Sequence, residues 1–347
     1  MAFSPKINCF TGNNGQGKTN ILDAIYYMSF CKSSVSRGGD AAVVNHDAEM
    51  MLLQGRYERR GEEEKISIGL QRGKRKVAKR NGKEYQLLSR HIGLLPLVMV
   101  SPMDTELIRG SGDDRRRLIN QIISQSDRNY LDALIRYAKA LENRNAMLKR
   151  GVRDSILFES VEEQLCTSAA YIHGVRENWI EEFTPIFMDY YHAITDGEET
   201  VSLEYRSHLH EMSMSQNLGE TRDVDAAVGF TTRGVHRDDI ELMLGDYAMR
   251  KIGSQGQCKT YTIALRLAQF DFLKQTCGIT PLLLLDDIFD KLDSRRVRNI
   301  IDVVSGNRGE GFGQIFITDT NRTHLDEIIS SVGSDYRIFH VEEGAIG

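Results

Sequence analysis

Residues 12–19, Gly12-Asn13-Asn14-Gly15-Gln16-Gly17-Lys18-Thr19, set three glycines, a lysine and a hydroxyl in the pattern GxxxxGK[ST]. Each residue type has a task in holding a polyphosphate. Glycines let the backbone curl until successive N–H groups face phosphate oxygens. Lys18 reaches the β and γ phosphates, and the Thr19 hydroxyl ligates Mg²⁺. A helix starting near Lys18 adds the positive end of its dipole. The plainer alternative is an ordinary glycine turn, and the context argues against it. "KINCF" before the loop reads as a strand. "TNILDAIYYMSF" after it puts Ile21, Leu22, Ile25 and Met28 on one helical face.

Two further stretches carry chemistry. "PLLLLDDIFDKLD" is a buried strand that ends in Asp286 and Asp287. Adjacent carboxylates at a buried strand tip repel each other unless a cation sits there. Asp286 is the candidate holder of Mg²⁺, through water, as a Walker B acid is. Asp287 is placed to orient or polarise an attacking water. The other reading is that the pair caps the next helix. Ser254-Gln255-Gly256-Gln257 lies ahead of this strand and opens the patterned helix "CKTYTIALRLAQF". Its N–H groups and helix dipole make a second anion site without a lysine; a Ser N-cap on a core helix is the plain alternative. Leu265, Leu267 and Phe270 of this helix belong to the core.

The elements that must position these groups follow from periodicity. Residues 1 to about 105 read as short strands with one early helix. "KISIGLQ" alternates as a half-buried strand, Asn81-Gly82 marks a hairpin turn, and "LLPLVMVS" suits a central strand. From Asp113 to about Thr195, "DALIRYAKALENRNAMLK" and "SVEEQLCTSAAYIHGVRENWIEEFTPIFMDYY" hold helical spacing. From about Asp225 mixed texture returns, with "GQIFITD" as a buried strand. The expected plan is an α/β head, residues 1–105 and 225–347, interrupted by a helical lobe, residues 106–224.

The 347 residues are 41% hydrophobic and 27% charged, with net charge -5. This balance suits a globular chain, and any case for nucleic acid must rest on local patches. The five cysteines form no CxxC pair, which argues against a zinc site and for a reducing, cytoplasmic setting. No run approaches the roughly 20 apolar residues of a membrane helix, so no membrane role is expected. One basic patch is "QRGKRKVAKRNGKEY", with Arg72, Lys74, Arg75, Lys76, Lys79, Arg80 and Lys83. It could meet DNA phosphates or merely protect an edge strand. Arg115-Arg116-Arg117 is a second candidate, although Asp113 and Asp114 could satisfy it. No aromatic interleaves these runs, so contact to a duplex backbone is favoured over base stacking.

Ser254-Gln255-Gly256-Gln257 resembles the Ser-Gly-Gly-Gln signature of ABC-type ATPases. That resemblance implies ATP sandwiched between two head domains, the signature of one closing on the phosphate loop of the other. "GNNGQGKTNILDAIYYMSF", "VMVSPMDTELIRGSGDDRRRLIN", "GVHRDDIELML", "GSQGQCKT" and "LLLLDDIFDKLDSRR" extend the likeness over essentially the whole chain. The chain resembles the RecF family of bacterial recombination-mediator ATPases, related to SMC proteins. The resemblance implies an ABC-type head interrupted by an α-helical lobe. It places Asp293 in the D-loop that crosses the dimer interface and Thr318 at the switch position after the last core strand. His236-Arg237-Asp238-Asp239 carries a family motif whose role the residues do not disclose; a strand-edge salt-bridge cluster and a direct role are both open. Three departures stand out. Asp290-Lys291-Leu292-Asp293 replaces the usual Ser/Ala-Glu-Leu-Asp, which leaves dimer contacts near Lys291 open, and Val235 replaces a proline. Family members also carry around twenty more residues ahead of the phosphate loop. Their absence predicts an unpaired or poorly covered sheet edge near residues 6 to 10.

These readings converge on an ATP-dependent clamp that closes on double-stranded or gapped DNA as a homodimer and hydrolyses ATP slowly. By resemblance RecR and RecO are partners and RecA is loaded with their help. Three rivals differ in class: an ABC-type transport ATPase, a structural module that uses ATP only as glue, and a small-molecule P-loop kinase. The basic hairpin has no purpose in the first, an Asp287→Asn variant discriminates the second, and the third has no use for a second anion-binding signature.

Overall fold

The computed structural model describes residues 1–36, 39–152, 154–197, 199–290, 292–304, 312–319, 329 and 335–346. β1 (Ile7–Thr11) runs into the glycine loop and α1 (Lys18–Phe30) leaves it. β2 (Met50–Arg59), β3 (Glu62–Gln71), β4 (Val77–Arg80) and β5 (Lys83–Glu84) then pair in that order as an antiparallel sheet. β4 turns into β5 at Asn81-Gly82, where φ is 50° and 81°, the positive pair a two-residue hairpin requires. β6 (Leu97–Val100) precedes four helices: α2 (Glu106–Arg109), α3 (Gly112–Ser126), α4 (Arg128–Lys149) and α5 (Ser155–Thr195). β7 (Val201–Arg206), α6 (Met214–Glu220), α7 (Arg222–Val228), β8 (Asp239–Leu244), β9 (Tyr247–Ala248) and α8 (Met249–Ile252) follow. α9 (Gln255–Cys277), β10 (Leu282–Asp286), α10 (Ser294–Val304), β11 (Ile315–Thr318), β12 (Tyr336–Glu342) and β13 (Ala345–Ile346) complete the order.

The chain divides into two compact units. The first holds Met1–Asp104, Ala193–Asp196 and Gln255–Gly347; the second holds Thr105–His192 and Gly197–Ser254. Residues 225–254, expected in the head, therefore cluster with the second unit. Sheet pairing is the reason: β8 lies antiparallel along all of β7, from Val201 opposite Leu244 to Arg206 opposite Asp239. The second unit thus carries a three-stranded sheet, β7-β8-β9, beside its helices. Its helix starts are locally written. Ser111 and Asp114 form a capping box on α3, and Asp127 caps α4 through the Tyr130 N–H at 3.0 Å.

In the first unit a six-stranded sheet runs β13-β12-β1-β11-β10-β6, parallel except for β13. β1 has a parallel neighbour on each side, β11 and β12, and Ile7 to Phe10 are buried. The open edge expected near residues 6 to 10 is therefore not found: a strand 329 positions away by register (Ile7 against Tyr336) fills it. β6, expected to be central, sits at the end of this sheet beside β10, and α9 packs on it, so its four residues stay buried.

α1 explains its own burial. One side, Leu22, Ile25, Tyr26 and Phe30, packs on Phe10, Leu97, Met99, Leu284 and Phe316 of the six-stranded sheet. The other side, Tyr27, Met28 and Cys31, packs on Ile66, Ile68 and Ala78 of the antiparallel sheet. Each such fully buried side chain contributes about 1.5–3 kcal/mol. The helix that opens at the glycine loop is therefore clamped between two sheets, which fixes the loop.

Candidate functional site

The loop after β1 is held from several directions. Gly12 has φ +149°, and a Cβ there would lie 2.3 Å from the Val341 carbonyl oxygen of β12, so only glycine fits. Gly17 caps α1 in the left-handed region, φ 97°. Gln16 Oε1 accepts from the Glu343 N–H at 2.5 Å, and the Gln16 carbonyl accepts from the Gly344 N–H at 3.0 Å. The β12–β13 turn thus buttresses the loop. Lys18 Nζ donates to the carbonyls of Gly12 (2.6 Å) and Asn13 (3.0 Å). Two of three ammonium protons are fixed inside the curl, and the third can meet an anion. Asn13, Asn14 and Gly15 are exposed at the crest.

Register builds the rest. Phe10 of β1 lies beside Thr318 of β11, and Thr318 lies beside Asp286 of β10. The ends of three parallel strands therefore meet in one row, next to the loop that follows β1. Open α/β sheets bind ligands at such carboxyl ends. Asp286 is 5% exposed and accepts from two hydroxyls: Thr318 Oγ1 at 2.6 Å, and Thr19 Oγ1 at 3.0 and 3.1 Å. A buried carboxylate flanked by two hydroxyls is a hard oxygen donor set that fits Mg²⁺. Asp287 has a left-handed φ of 49° and donates its N–H to Thr318, at 3.1 Å to the carbonyl and 3.2 Å to the hydroxyl. Aspartate tolerates this conformation better than most residues, and Thr318 enforces it.

Burial pushes the Asp287 carboxyl above its ordinary pKa. Asp319, Asp290 and Asp286 add to the rise, while Lys259 opposes it. Asp319, 4% exposed and next to the strand end, escaped the sequence reading. Its signal was its place directly after Thr318 in "FITDT".

The signature and D-loop residues form a second grouping. Ser254 and Gln255 are exposed, and α9 begins at Gln255. Gly256 faces Arg296 of α10: a Cβ there would lie 3.1 Å from Arg296 Nη1. Gln257, next along α9, is partly buried. Asp293 caps α10, its Oδ1 accepting from the N–H groups of Arg295 (3.1 Å) and Arg296 (2.9 Å). The Arg296 N–H, first of these influences, holds the Asp293 carboxyl below its usual pKa. Lys291 lies outside the described residues.

The basic hairpin splits. Arg72 donates to the carbonyls of Ala48, Val44 and Asn45 at 3.1 Å each. Lys76 is bound to Asp40 at 2.6 Å and to the Cys31 carbonyl, under the face of Tyr27. Arg80 pairs with the buried Glu64. These three hold the sheet and its loops together. Lys74, Arg75, Lys79 and Lys83 are exposed. The second basic run is likewise tied internally: Arg115 grips Asp239 at 2.7 and 2.8 Å, Arg116 reaches Asp113 and the Asp238 carbonyl, and Arg117 pairs with Asp114.

Within His236-Arg237-Asp238-Asp239, Asp238 is buried, His236 and Asp239 are half-buried and Arg237 is exposed, and three of the four tie the second unit together. Asp238 accepts from Arg176 and from the Tyr205 hydroxyl, both at 2.5 Å. His236 Nδ1 lies 2.6 Å from the Tyr137 hydroxyl and Nε2 lies 3.0 Å from the Thr231 carbonyl. Nε2 must carry the proton to satisfy both. Burial pushes the His236 pKa down to about 4.

A parallel sheet whose strand tips join a glycine loop, a paired lysine and a hydroxyl-bound carboxylate defines a nucleotide-binding ATPase head. Comparison with known proteins agrees. The family described as "RecF/RecN/SMC N terminal domain" matches residues 1–346. The DNA replication and repair protein RecF of Parabacteroides distasonis is 53% identical over 346 residues, covering 100% of this chain and 94% of the relative. That of Bacteroides thetaiotaomicron is 51% identical over 348 residues, covering 100% and 93%. A solved structure of the recombination mediator protein RecF-ATPrS in the RecFOR pathway superposes with TM-score 0.85 at 29% identity, covering 100% and 92%. A Smc head domain from Pyrococcus furiosus superposes with TM-score 0.55 at 17% identity, covering 100% and 90%, a likeness of fold alone. The chain belongs to the RecF family.

Proposed function

We propose that this chain is a DNA replication and repair protein of the RecFOR pathway that binds ATP, and that it closes on DNA as an ATP-dependent homodimer with slow hydrolysis. The observation that carries the reading is the Thr19–Asp286–Thr318 cluster beside Lys18. In this reading the loop N–H groups and the remaining Lys18 proton hold the β and γ phosphates. Thr19 and Asp286 would hold Mg²⁺, which supplies charge neutralisation on the phosphates when bound. Asp287, its backbone fixed by Thr318, accepts a hydrogen bond from the attacking water, and its raised pKa suits it to take the proton. Ser254-Gln255-Gly256-Gln257 would close on the phosphate loop of a second copy, with Asp293 at the interface; the exposure of Ser254, Gln255 and Asp293 in the single chain supports this. Lys74, Arg75 and Lys79 would contact the phosphates of double-stranded or gapped DNA, and RecO and RecR would be partners in loading RecA.

A cytoplasmic setting is part of the proposal: the five cysteines form no disulfide among the described residues, and no described helix is long and apolar enough to cross a membrane. Lys18→Met should abolish single-turnover ATP hydrolysis, and unchanged hydrolysis would overturn the site. Sedimentation should show a monomer without nucleotide, a dimer with ATP, and a heavier complex once duplex DNA is added. A monomer under all conditions would refute the dimer. If Asp287→Asn leaves phosphate release unaltered, ATP is glue and the enzyme reading fails.

A further inference from the structure

His173 and Glu177 stand one turn apart on α5, and His210 ends the short helical turn His208–His210 between β7 and α6. One ligand atom from each lies within 4.8 Å of the others. Glu177 Oε2 is 3.4 Å from His173 Nε2, and Oε1 is 3.7 Å from His210 Nε2. The two imidazole rings are 5.1 Å apart.

The protons around His173 show what this corner needs. The Tyr205 hydroxyl has one proton, and it goes to Asp238 at 2.5 Å. Asp238 is in turn fixed by Arg176. Tyr205 Oη is left as an acceptor for His173 Nδ1, 3.3 Å away. The ring proton of a neutral His173 therefore sits on Nδ1, and Nε2 presents a lone pair. That lone pair faces the carboxylate of Glu177. Two acceptors pointed at each other, with a third ring beside them, are satisfied by a cation. A histidine that ligates metal through one nitrogen while its other N–H is held by a hydrogen-bonded partner is the usual supporting arrangement.

We propose that His173, Glu177 and His210 form a binding site for a borderline divalent transition metal, with zinc as its first ligand. Two imidazoles and one carboxylate are a recognised zinc donor set that leaves a fourth position for water. Tetrahedral zinc needs donors about 3.3 Å apart, so the widest spacing must contract by up to about 1.5 Å. The exposed partners leave room for this. Glu177 and His210 are 46% and 37% exposed, while His173, at 13%, is the fixed anchor. The bound metal would tie α5 to the β7–α6 connection within the second unit. The site is independent of the phosphate loop.

The test uses the full chain, stripped of metal by chelator and then titrated with Zn²⁺, and with Co²⁺ as a spectroscopic probe. One equivalent of Zn²⁺ should bind at micromolar concentration. Co²⁺ should give visible d–d bands without a thiolate charge-transfer band, which excludes the cysteines as ligands. His210→Ala and Glu177→Gln should each weaken binding about tenfold or more, with the far-UV spectrum unchanged because both residues are partly exposed. Zinc uptake equal to that of the parent in both variants would overturn the proposal. So would a thiolate band, or no uptake at micromolar zinc.

Discussion

Asp238-Asp239 and Asp286-Asp287 are the same dipeptide in two settings. In the second unit each acid meets a guanidinium: Asp238 pairs with Arg176 at 2.5 Å, and Asp239 pairs with Arg115 through both oxygens. In the first unit Asp286 is as deeply buried, yet its hydrogen bonds come from the hydroxyls of Thr19 and Thr318. Burial, and then the carboxylates around it, raise the pKa of Asp287 against the opposing pull of Lys259. One pair is neutralised from within the chain and serves architecture. The other meets hydroxyl dipoles in place of guanidinium charge. On the proposed function that difference in partners would separate a structural charge from one open to a cation.

Substitutions can break this contrast. Asp238→Asn should have the largest effect, because it leaves Arg176, 2% exposed, buried without its charge partner. A loss of about 3–5 kcal/mol is expected by urea unfolding, while ATP turnover per folded molecule stays unchanged. Asp286→Asn should do the reverse. Stability should hold or rise, because a carboxylate desolvated among hydroxyls becomes neutral, and phosphate release should fall about a hundredfold. If the two variants behave alike, the contrast is wrong.

Protons probe the same contrast more gently. His236 has a folded pKa of about 4, against an ordinary value of 6.5. Below pH 6.5 the unfolded chain takes up a proton that the folded protein refuses until about pH 4. Stability should therefore fall as pH drops across that window, by up to about 3 kcal/mol. His236→Gln should flatten the dependence of the unfolding midpoint on pH. On the other side, Asp287 keeps its proton to a higher pH than an ordinary aspartate. Hydrolysis should thus decline on the acid side at a higher pH than a normal carboxylate would give. Asp319→Asn, which removes a raising charge, should move that limb to lower pH by a fraction of a unit. In the hairpin, Lys79→Glu should weaken duplex DNA retention and lower the salt slope by about one. Lys76→Met should instead act on stability, since Lys76 holds Asp40 and the Cys31 carbonyl.

The phosphate loop and the acid pair at the end of β10 were legible because each is contiguous: turn, lysine and hydroxyl stand within eight residues, and the two acids are adjacent. Asp287 and Thr318 could be named from pattern and resemblance, but their mutual contact depends on β10–β11 register. Long-range partners were invisible. Nothing near Arg72, Lys76 or Arg80 says that Val44, Asp40 and Glu64 will claim them, so the hairpin looked more basic than it is. The His236 motif stayed mute because Tyr137 and Arg176 lie on α4 and α5. The grouping of β8 with the second unit was hidden for the same reason, since it follows from pairing with β7. His173 and Glu177 were not singled out, because nothing in the sequence joins a one-turn pair on α5 to His210.

The pairing of β1 also sets a timetable. Ile7 is bonded in register to Ile315 and Tyr336, so β1 gains its parallel neighbours only once β11 and β12 have been made. At roughly 5–20 residues per second, the strand and its glycine loop wait tens of seconds on the ribosome. The second unit, made of nearer neighbours, can fold meanwhile. A chain stopped before residue 315 therefore carries the whole glycine-loop sequence without either of the strands that flank β1.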